Sequence, residues 1–108
     1  MTLIASGATI NRQSVVIVEP DYKIVLRNIN RHFKTNINIT DLTSENITAR
    51  KVAAIILRDF FDLSLKVISF ELGCTYPSAA FSNYKQGKES EYVSGLVGMF
   101  VKKEITIL

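Results

Sequence analysis

The chain has 108 residues, enough for one domain with its own hydrophobic core, and its 47% hydrophobic against 21% charged residues exclude an intrinsically disordered protein. Its 13 Lys and Arg against 10 Asp and Glu leave a net charge of +3, which is compatible with phosphate binding but does not require it. The single cysteine, Cys74, excludes an internal disulfide and a thiolate metal cluster and fits a reducing compartment. No stretch approaches the length of a membrane span, and the opening residues lack a basic leader, so we expect a cytoplasmic protein.

The two ends of the chain lack helical periodicity. We interpret residues 1–20 as an N-terminal arm in which residues 14–19, SVVIVE, could form a short strand that Pro20 ends. The comparable segment is the C-terminal tail, residues 105–108, ITIL. Two such strands could pair within one chain or between two chains, and the second arrangement would make a homodimer.

Residues 21–104 have the patterning of a small all-α domain of about five helices. The first helix follows Asp21, a candidate N-cap, and is expected to end near Lys34. The longest helix is predicted over residues 47–61 and is expected to be central because it is so apolar, with core candidates Val52, Ala53, Ile55, Ile56, Phe60 and Phe61. Three connector side chains before it are expected in the core: Ile37, Ile39 and Leu42.

Residues 64–86 predict two short helices joined by a tight turn. Asp62 and Ser64 mark a turn and a cap before the first of them, and Gly73 stands where a helix end tolerates a left-handed residue. Pro77 suits the first turn of the second helix, over about residues 77–86, which Gly87 is expected to end. This is a helix-turn-helix outline, whose usual use is to lay the second helix in a DNA major groove. A last amphipathic helix is predicted from about Glu89, with Lys102 and Lys103 near its negative end.

Several features follow one another in a specific order over residues 24–86. The opening helix ends in an aromatic residue, Phe33, and an extended connector runs from Ile37 to Leu42. The long helix contains residues 49–53, ARKVA, and is followed by residues 62–68, DLSLKVI. In this order and spacing the chain resembles the C-terminal duplex-DNA-binding domain of the bacterial replication initiator DnaA, a TrpR-like helix-turn-helix domain.

The resemblance implies binding of double-stranded DNA, in regulation of transcription or replication. Where the family has G-G-[RK]-D-H-[ST]-T, residues 73–79 read GCTYPSA, which keeps Gly73 and the hydroxyl at Ser78. The family's basic residue, Asp and His, which help to read its DNA box, are absent, so that specificity is not carried over. Residues 43–46, TSEN, replace the family's basic loop. A phosphate-cradling glycine loop is also absent from the sequence, so the resemblance is to one domain and not to a whole initiator.

The predicted DNA contacts lie on three helices and one turn. Arg50, Lys51 and Lys66 align with family positions that touch DNA. The turn and the recognition helix add Thr75, Tyr76, Pro77, Ser78, Ser82, Asn83 and Lys85. Hydroxyl and amide groups can bond base edges, and hydroxyls and lysines reach phosphates. Ala80, Phe81 and Tyr84 are expected to face inward. The alternative is a solvated polar face, with Arg50 and Lys66 in surface salt bridges.

The residues predict no enzyme, no metal site, no cofactor and no small-molecule substrate. His32 has no second histidine or suitably spaced carboxylate for a metal site or a triad. Cys74 is interpreted as a small residue in a tight turn, with a redox role as the alternative. The leading hypothesis is a DNA-binding protein, and the second is a protein–protein interaction module that kept the fold and lost the DNA site. Basic residues that share a face with the recognition helix would favour the first hypothesis, and an apolar or neutral face there would favour the second.

Overall fold

The computed structural model describes residues 21–39 and 42–102. These residues form an all-α fold of five helices without a strand, which confirms the predicted fold class. The helices are α1 (Asp21–Phe33), α2 (Ser44–Asp59), α3 (Leu65–Glu71), α4 (Pro77–Lys88) and α5 (Glu91–Phe100). The strand predictions for residues 14–19 and 105–108, and the placement of Lys103, lie outside the described residues.

The central helix is α2, as its apolar composition predicts. It packs against each of the other four helices. Its fully buried side chains include Ala49, Val52, Ala53, Ala54, Ile56 and Leu57. The other helices complete this core with Val25 and Ile29 of α1, Ile68 of α3, Ala80 of α4 and Val97 of α5. Because α2 is apolar around most of its surface, helices can surround it, and it becomes the support for the helix-turn-helix.

The bounds of α2 differ from the predicted range of 47–61 at both ends. The helix begins earlier because the side chain of Thr43 caps it by accepting a hydrogen bond from the backbone N–H of Asn46 at 3.3 Å. It ends at Asp59, and the next residue, Phe60, is 49% exposed. The prediction that Phe60 lies in the core is therefore wrong, because this residue follows the end of α2 and its side chain is not covered by the other helices.

The connector before α2 places one of its three predicted core residues inside. Ile37 is 2% exposed, whereas Ile39 is 56% and Leu42 is 85% exposed, so those two predictions are wrong. The backbone N–H of Ile37 donates to Oδ1 of Asn30, and that of Ile39 donates to the carbonyl of Asn36. The resulting turn reverses the chain, so that only Ile37 reaches the core.

Gly87 lies inside α4 and does not end it, because the helix continues to Lys88. A Cβ atom on Gly87 would lie 2.8 Å from Cδ1 of Ile55 and 3.3 Å from Cβ of Lys51. The glycine therefore permits close approach of α2 and α4. In the sequence alone, a glycine needed for packing cannot be distinguished from one that ends a helix.

Candidate nucleic-acid interface

The helix-turn-helix is built by local backbone rules. Ser64 caps α3 by accepting a hydrogen bond from the N–H of Val67 at 3.2 Å, as predicted. Gly73 in the turn has φ +66°, and a Cβ atom on it would overlap the carbonyl oxygen of Asn38. Only glycine fits both conditions, so the expected left-handed residue is confirmed. Pro77 then opens α4 at its first turn, also as predicted.

Arg50 of α2 holds the turn from inside the domain. Arg50 is only 8% exposed. Because α2 begins at Ser44, Arg50 lies within the helix and not at its start. Nη1 donates to the carbonyl of Ile37 at 2.9 Å and to that of Leu72, and Nη2 donates to Sγ of Cys74 at 3.2 Å. The guanidinium thus joins the connector, the end of α3 and the turn before α4.

This position differs from the one expected for Arg50. The sequence placed it at the start of a helix with its charge at the surface, available to a phosphate or an acidic side chain. In the structure its donors face backbone carbonyls and a thiol in the interior. We therefore leave Arg50 out of the candidate DNA surface. Cys74 is half-buried against this guanidinium in the tight turn.

Asn38 is a second support for the helix-turn-helix, and sequence reasoning missed it. Its Nδ2 donates to the carbonyls of Phe70 at 3.2 Å and Glu71 at 3.0 Å, which are terminal carbonyls of α3. Glu71 itself is 9% exposed and forms a salt bridge of 2.8 Å with Lys23 of α1. The connector and α1 therefore both fix the C-terminal end of α3. Turn-forming Asn residues in the connector were the available signal.

The outward face of α4 carries three of the predicted contact residues. Ser78, Ser82 and Lys85 are all exposed, and their spacing of four and then three residues places them on one helix face. The opposite face is buried through Ala80 and Gly87. The structure therefore brings two hydroxyls and one ammonium group together on the accessible side of α4.

Five further predicted contact residues lie elsewhere in the helix-turn-helix. Thr75, Tyr76 and Pro77 are exposed where the turn leads into α4, and Lys66 is exposed on α3. Asn83 is half-buried on the side of α4, where its Nδ2 donates to the carbonyl of Ala79 at 3.0 Å. Its amide is therefore engaged with its own helix in this conformation.

Lys51 is placed away from the outward face of α4. It is half-buried on α2, and its Cβ and carbonyl oxygen lie under Gly87, on the inner side of α4. Grouping of Arg50, Lys51, Lys66 and Lys85 on one face with α4 was the arrangement that would favour DNA over a protein partner. Of these four residues, only Lys66 and Lys85 are exposed.

Three aromatic side chains of the helix-turn-helix are exposed, and one of them was expected to be buried. Phe81 was expected to face inward but is 48% exposed, so that prediction is wrong. Phe70 of α3 and Tyr76 of the turn are 74% and 67% exposed. Small residues, Ala80 and Gly87, make the close contact with α2, so the larger ring of Phe81 lies outside it. The surface of the helix-turn-helix is thus both polar and aromatic.

A charged cluster fixes the C-terminal end of α4 to α2. Asp59 accepts from Nζ of Lys88 at 2.9 Å and from the hydroxyl of Tyr84 at 2.8 Å. Burial raises the pKa of Asp59, but hydrogen bonds from Lys88 and Tyr84 outweigh it and hold the pKa below its usual value. The hydrogen bond to Asp59 raises the pKa of Lys88. The charge of Lys88 is therefore compensated within the domain, whereas Lys85 forms no ion pair with the residues that the structure describes.

Within residues 21–39 and 42–102, no cluster of three or more His, Cys, Asp or Glu side chains could hold a metal ion. In the same part of the chain, none of the helices is long and apolar enough to cross a membrane. Comparisons with models of protein families, with characterised proteins and with solved structures found no match to this chain.

Proposed function

We propose that this protein binds duplex DNA through the helix-turn-helix of α3 and α4, as a regulator of transcription or replication without catalytic activity. The observation that carries the proposal is the outward face of α4, where Ser78, Ser82 and Lys85 are exposed together. Arg50 fixes the turn that precedes this helix. The resemblance of residues 24–86 to the DNA-binding domain of DnaA supports it.

The chemistry of this surface suits contacts with both parts of a duplex. Lys85 on α4 and Lys66 on α3 are exposed and can neutralise phosphates. The hydroxyls of Ser78 and Ser82 can bond phosphates or base edges in the major groove. The exposed ring of Tyr76 lies where the chain enters α4 and can contact a sugar or a thymine methyl group.

The small number of cations sets the expected strength. Arg50 is internal, the Cβ and carbonyl oxygen of Lys51 lie against the inner side of α4, and Lys88 is paired with Asp59. The proposal therefore assigns the phosphate contacts to the exposed Lys66 and Lys85. A monomer with few such contacts binds weakly, with a dissociation constant on the order of micromolar, and loses affinity as salt rises. Sequence preference would then come from the hydroxyl face of α4.

Fluorescence anisotropy of a labelled random-sequence duplex tests the proposal. We expect Lys66→Gln/Lys85→Gln to weaken binding about tenfold at low salt and to reduce the slope of log K against log salt by about two. Both side chains are exposed, so the variant should fold as the wild type does.

Arg31→Gln/Lys34→Asn is the matched control, because it removes the same charge near the end of α1. That end lies against α5, where the rings of His32 and Phe100 are 5.3 Å apart. The control should bind almost as the wild type does. Equal losses in both variants would indicate a response to net charge alone, and absence of binding at low salt by folded protein would overturn the proposal.

A protein–protein interaction module is the second candidate, and the exposed aromatic side chains favour it. Phe70, Tyr76 and Phe81 are 74%, 67% and 48% exposed on the same helix-turn-helix. Aromatic residues are enriched in protein interfaces, and exposed apolar groups often mark them. This function predicts no duplex binding at low salt and no effect of Lys66→Gln/Lys85→Gln. The anisotropy titration therefore separates the two functions.

A further inference from the structure

Two glycines in α5 have no role in the packing of the described residues. A Cβ atom on Gly95 or on Gly98 would meet nothing within 4 Å. By contrast, a Cβ on Gly73 or Gly87 would collide with the connector or with α2. Glycine is the least favourable residue after proline in a helix interior, so two glycines in one short helix need a reason outside the helix. Close approach of another backbone is such a reason.

These glycines lie on one exposed face of α5. Glu91, Gly95, Gly98 and Lys102 are all exposed, at spacings of four, three and four residues. This spacing keeps them on the same side of a helix. The other side of α5 is buried on the domain through Val93, Val97 and Phe100. The outward face is therefore small in its middle and charged at its two ends, with an acid at the start and a base just past the end.

The spacing of the residues on this face is the same in both chain directions, and its two ends carry opposite charges. If two copies of α5 cross antiparallel about a two-fold axis between positions 96 and 97, Gly95 lies opposite Gly98 of the other copy. The same axis brings Glu91 opposite Lys102 at both ends. Small residues then allow the helices to come close at the centre, and opposite charges meet outside it. A parallel pair would instead place like charges together.

We infer that the occupant of this face is a second copy of the same chain, bound through an antiparallel α5–α5 contact. The exposed side chains of Tyr92 and Met99, 68% and 40% accessible, lie beside the glycines and supply apolar area to this contact. A single pair of short helices buries little surface, so the dimer is weak and dependent on protein concentration. This inference does not rest on DNA binding, and its test contains no DNA.

Sedimentation equilibrium over a range of protein concentrations tests it. The wild type should show a monomer–dimer equilibrium, and Gly95→Gln/Gly98→Gln should raise the dimer dissociation constant by at least about tenfold. Circular dichroism should show that this variant remains folded, since nothing lies within 4 Å of the new Cβ atoms. Wild type that stays monomeric at its highest soluble concentration, or a dimer that the variant leaves unchanged, would overturn the inference.

Charge exchange tests the antiparallel orientation. Glu91→Lys and Lys102→Glu should each weaken self-association because like charges then meet at both ends. Mixing the two single variants should restore a dimer, since both ends of the mixed pair have opposite charges. The double variant Glu91→Lys/Lys102→Glu should dimerise with itself. If mixing restores nothing while the wild type dimerises, the antiparallel α5 contact is wrong.

Discussion

Nη2 of Arg50 lies 3.2 Å from Sγ of Cys74, so one side chain joins the central helix α2 to the turn before α4. The same guanidinium donates to the carbonyls of Leu72 and Ile37. Buried carbonyls need donors, and here a buried cation supplies them at the point where α3 ends. The turn that leads into α4 is therefore held by a residue that is itself only 8% exposed.

Replacing Arg50 should lower the free energy of unfolding, because its guanidinium donates to buried carbonyl groups. Arg50→Met leaves buried carbonyls without their donor, and we expect it to lower the free energy of unfolding by about 3 kcal/mol. Urea denaturation measures this change. Arg31→Met is the control, because Arg31 is exposed and bonds only Asn28 at the surface in the described contacts. It should change stability by less than about 0.5 kcal/mol. Equal effects of the two substitutions would contradict the structural role of Arg50.

The two classes of glycine should respond to alanine with opposite signs. Gly73→Ala places a side chain at φ +66° and against the carbonyl of Asn38, so we expect a loss of about 2 kcal/mol or more in the free energy of unfolding. Gly95→Ala adds a methyl group in open space on α5 and should raise it by about 0.5–1 kcal/mol at protein concentrations where the chain is monomeric. Thermal and urea unfolding of both variants check the signs. A destabilising Gly95→Ala in the monomer would show that this face is covered by the chain itself.

The ion pair between Asp59 and Lys88 should contribute stability that depends on pH. The pKa of Asp59 in the folded protein lies below the unfolded value of about 3.9, because hydrogen bonds from Lys88 and Tyr84 outweigh the effect of burial. The carboxylate therefore stabilises the fold above that value, and the contribution is lost as the pH falls through the folded pKa. Since the side chains of Asp59 and Lys88 are 27% and 50% exposed, we expect only about 0.5 kcal/mol near neutral pH.

Asp59→Asn measures this contribution. The difference in unfolding free energy between wild type and variant should be present near neutral pH and should shrink as the pH falls through the folded pKa of Asp59. Lys88→Gln should show the same dependence, because it removes the other partner of the pair. A difference that grows as the pH falls would mean that the pKa of Asp59 is raised by folding.

The hydroxyls on α4 should affect sequence preference more than overall affinity. Ser78→Ala/Ser82→Ala removes potential contacts to base edges without changing charge, so selected duplexes should lose about fivefold in affinity and random ones less. Selection of duplexes from a random pool, followed by anisotropy with wild type and variant, makes this comparison. Ser94→Ala on the exposed face of α5 is the control. A uniform loss for all duplexes would mean that the hydroxyls contact only phosphates.

The sequence predicted those parts of the fold that local rules decide. The cap at Ser64, the left-handed residue at Gly73 and the proline at the start of α4 each follow from the conformational freedom or hydrogen bonding of one residue type. The position of α2 at the centre followed from its apolar composition.

The failures at Arg50 and Gly87 involve contacts between segments that are distant in the chain, and the failure at Ile39 involves a local turn. Arg50 is buried because the carbonyls of Ile37 and Leu72 meet beside it, and no pattern around Arg50 indicates that meeting. Ile39 is exposed because a turn reverses the connector, although its apolar character favoured the core. Gly87 was interpreted as the end of a helix, but a glycine is needed there because α2 packs closely against α4.

Mapping of the DNA contact by nuclear magnetic resonance tests the central claim most directly. Amide chemical shifts of labelled protein are followed while a duplex is added at low salt. We predict the largest changes at residues 75–86 and around Lys66, with little change at Arg31 near the end of α1. Changes confined to other helices, or no change with a folded protein and saturating duplex, would contradict DNA binding through the helix-turn-helix.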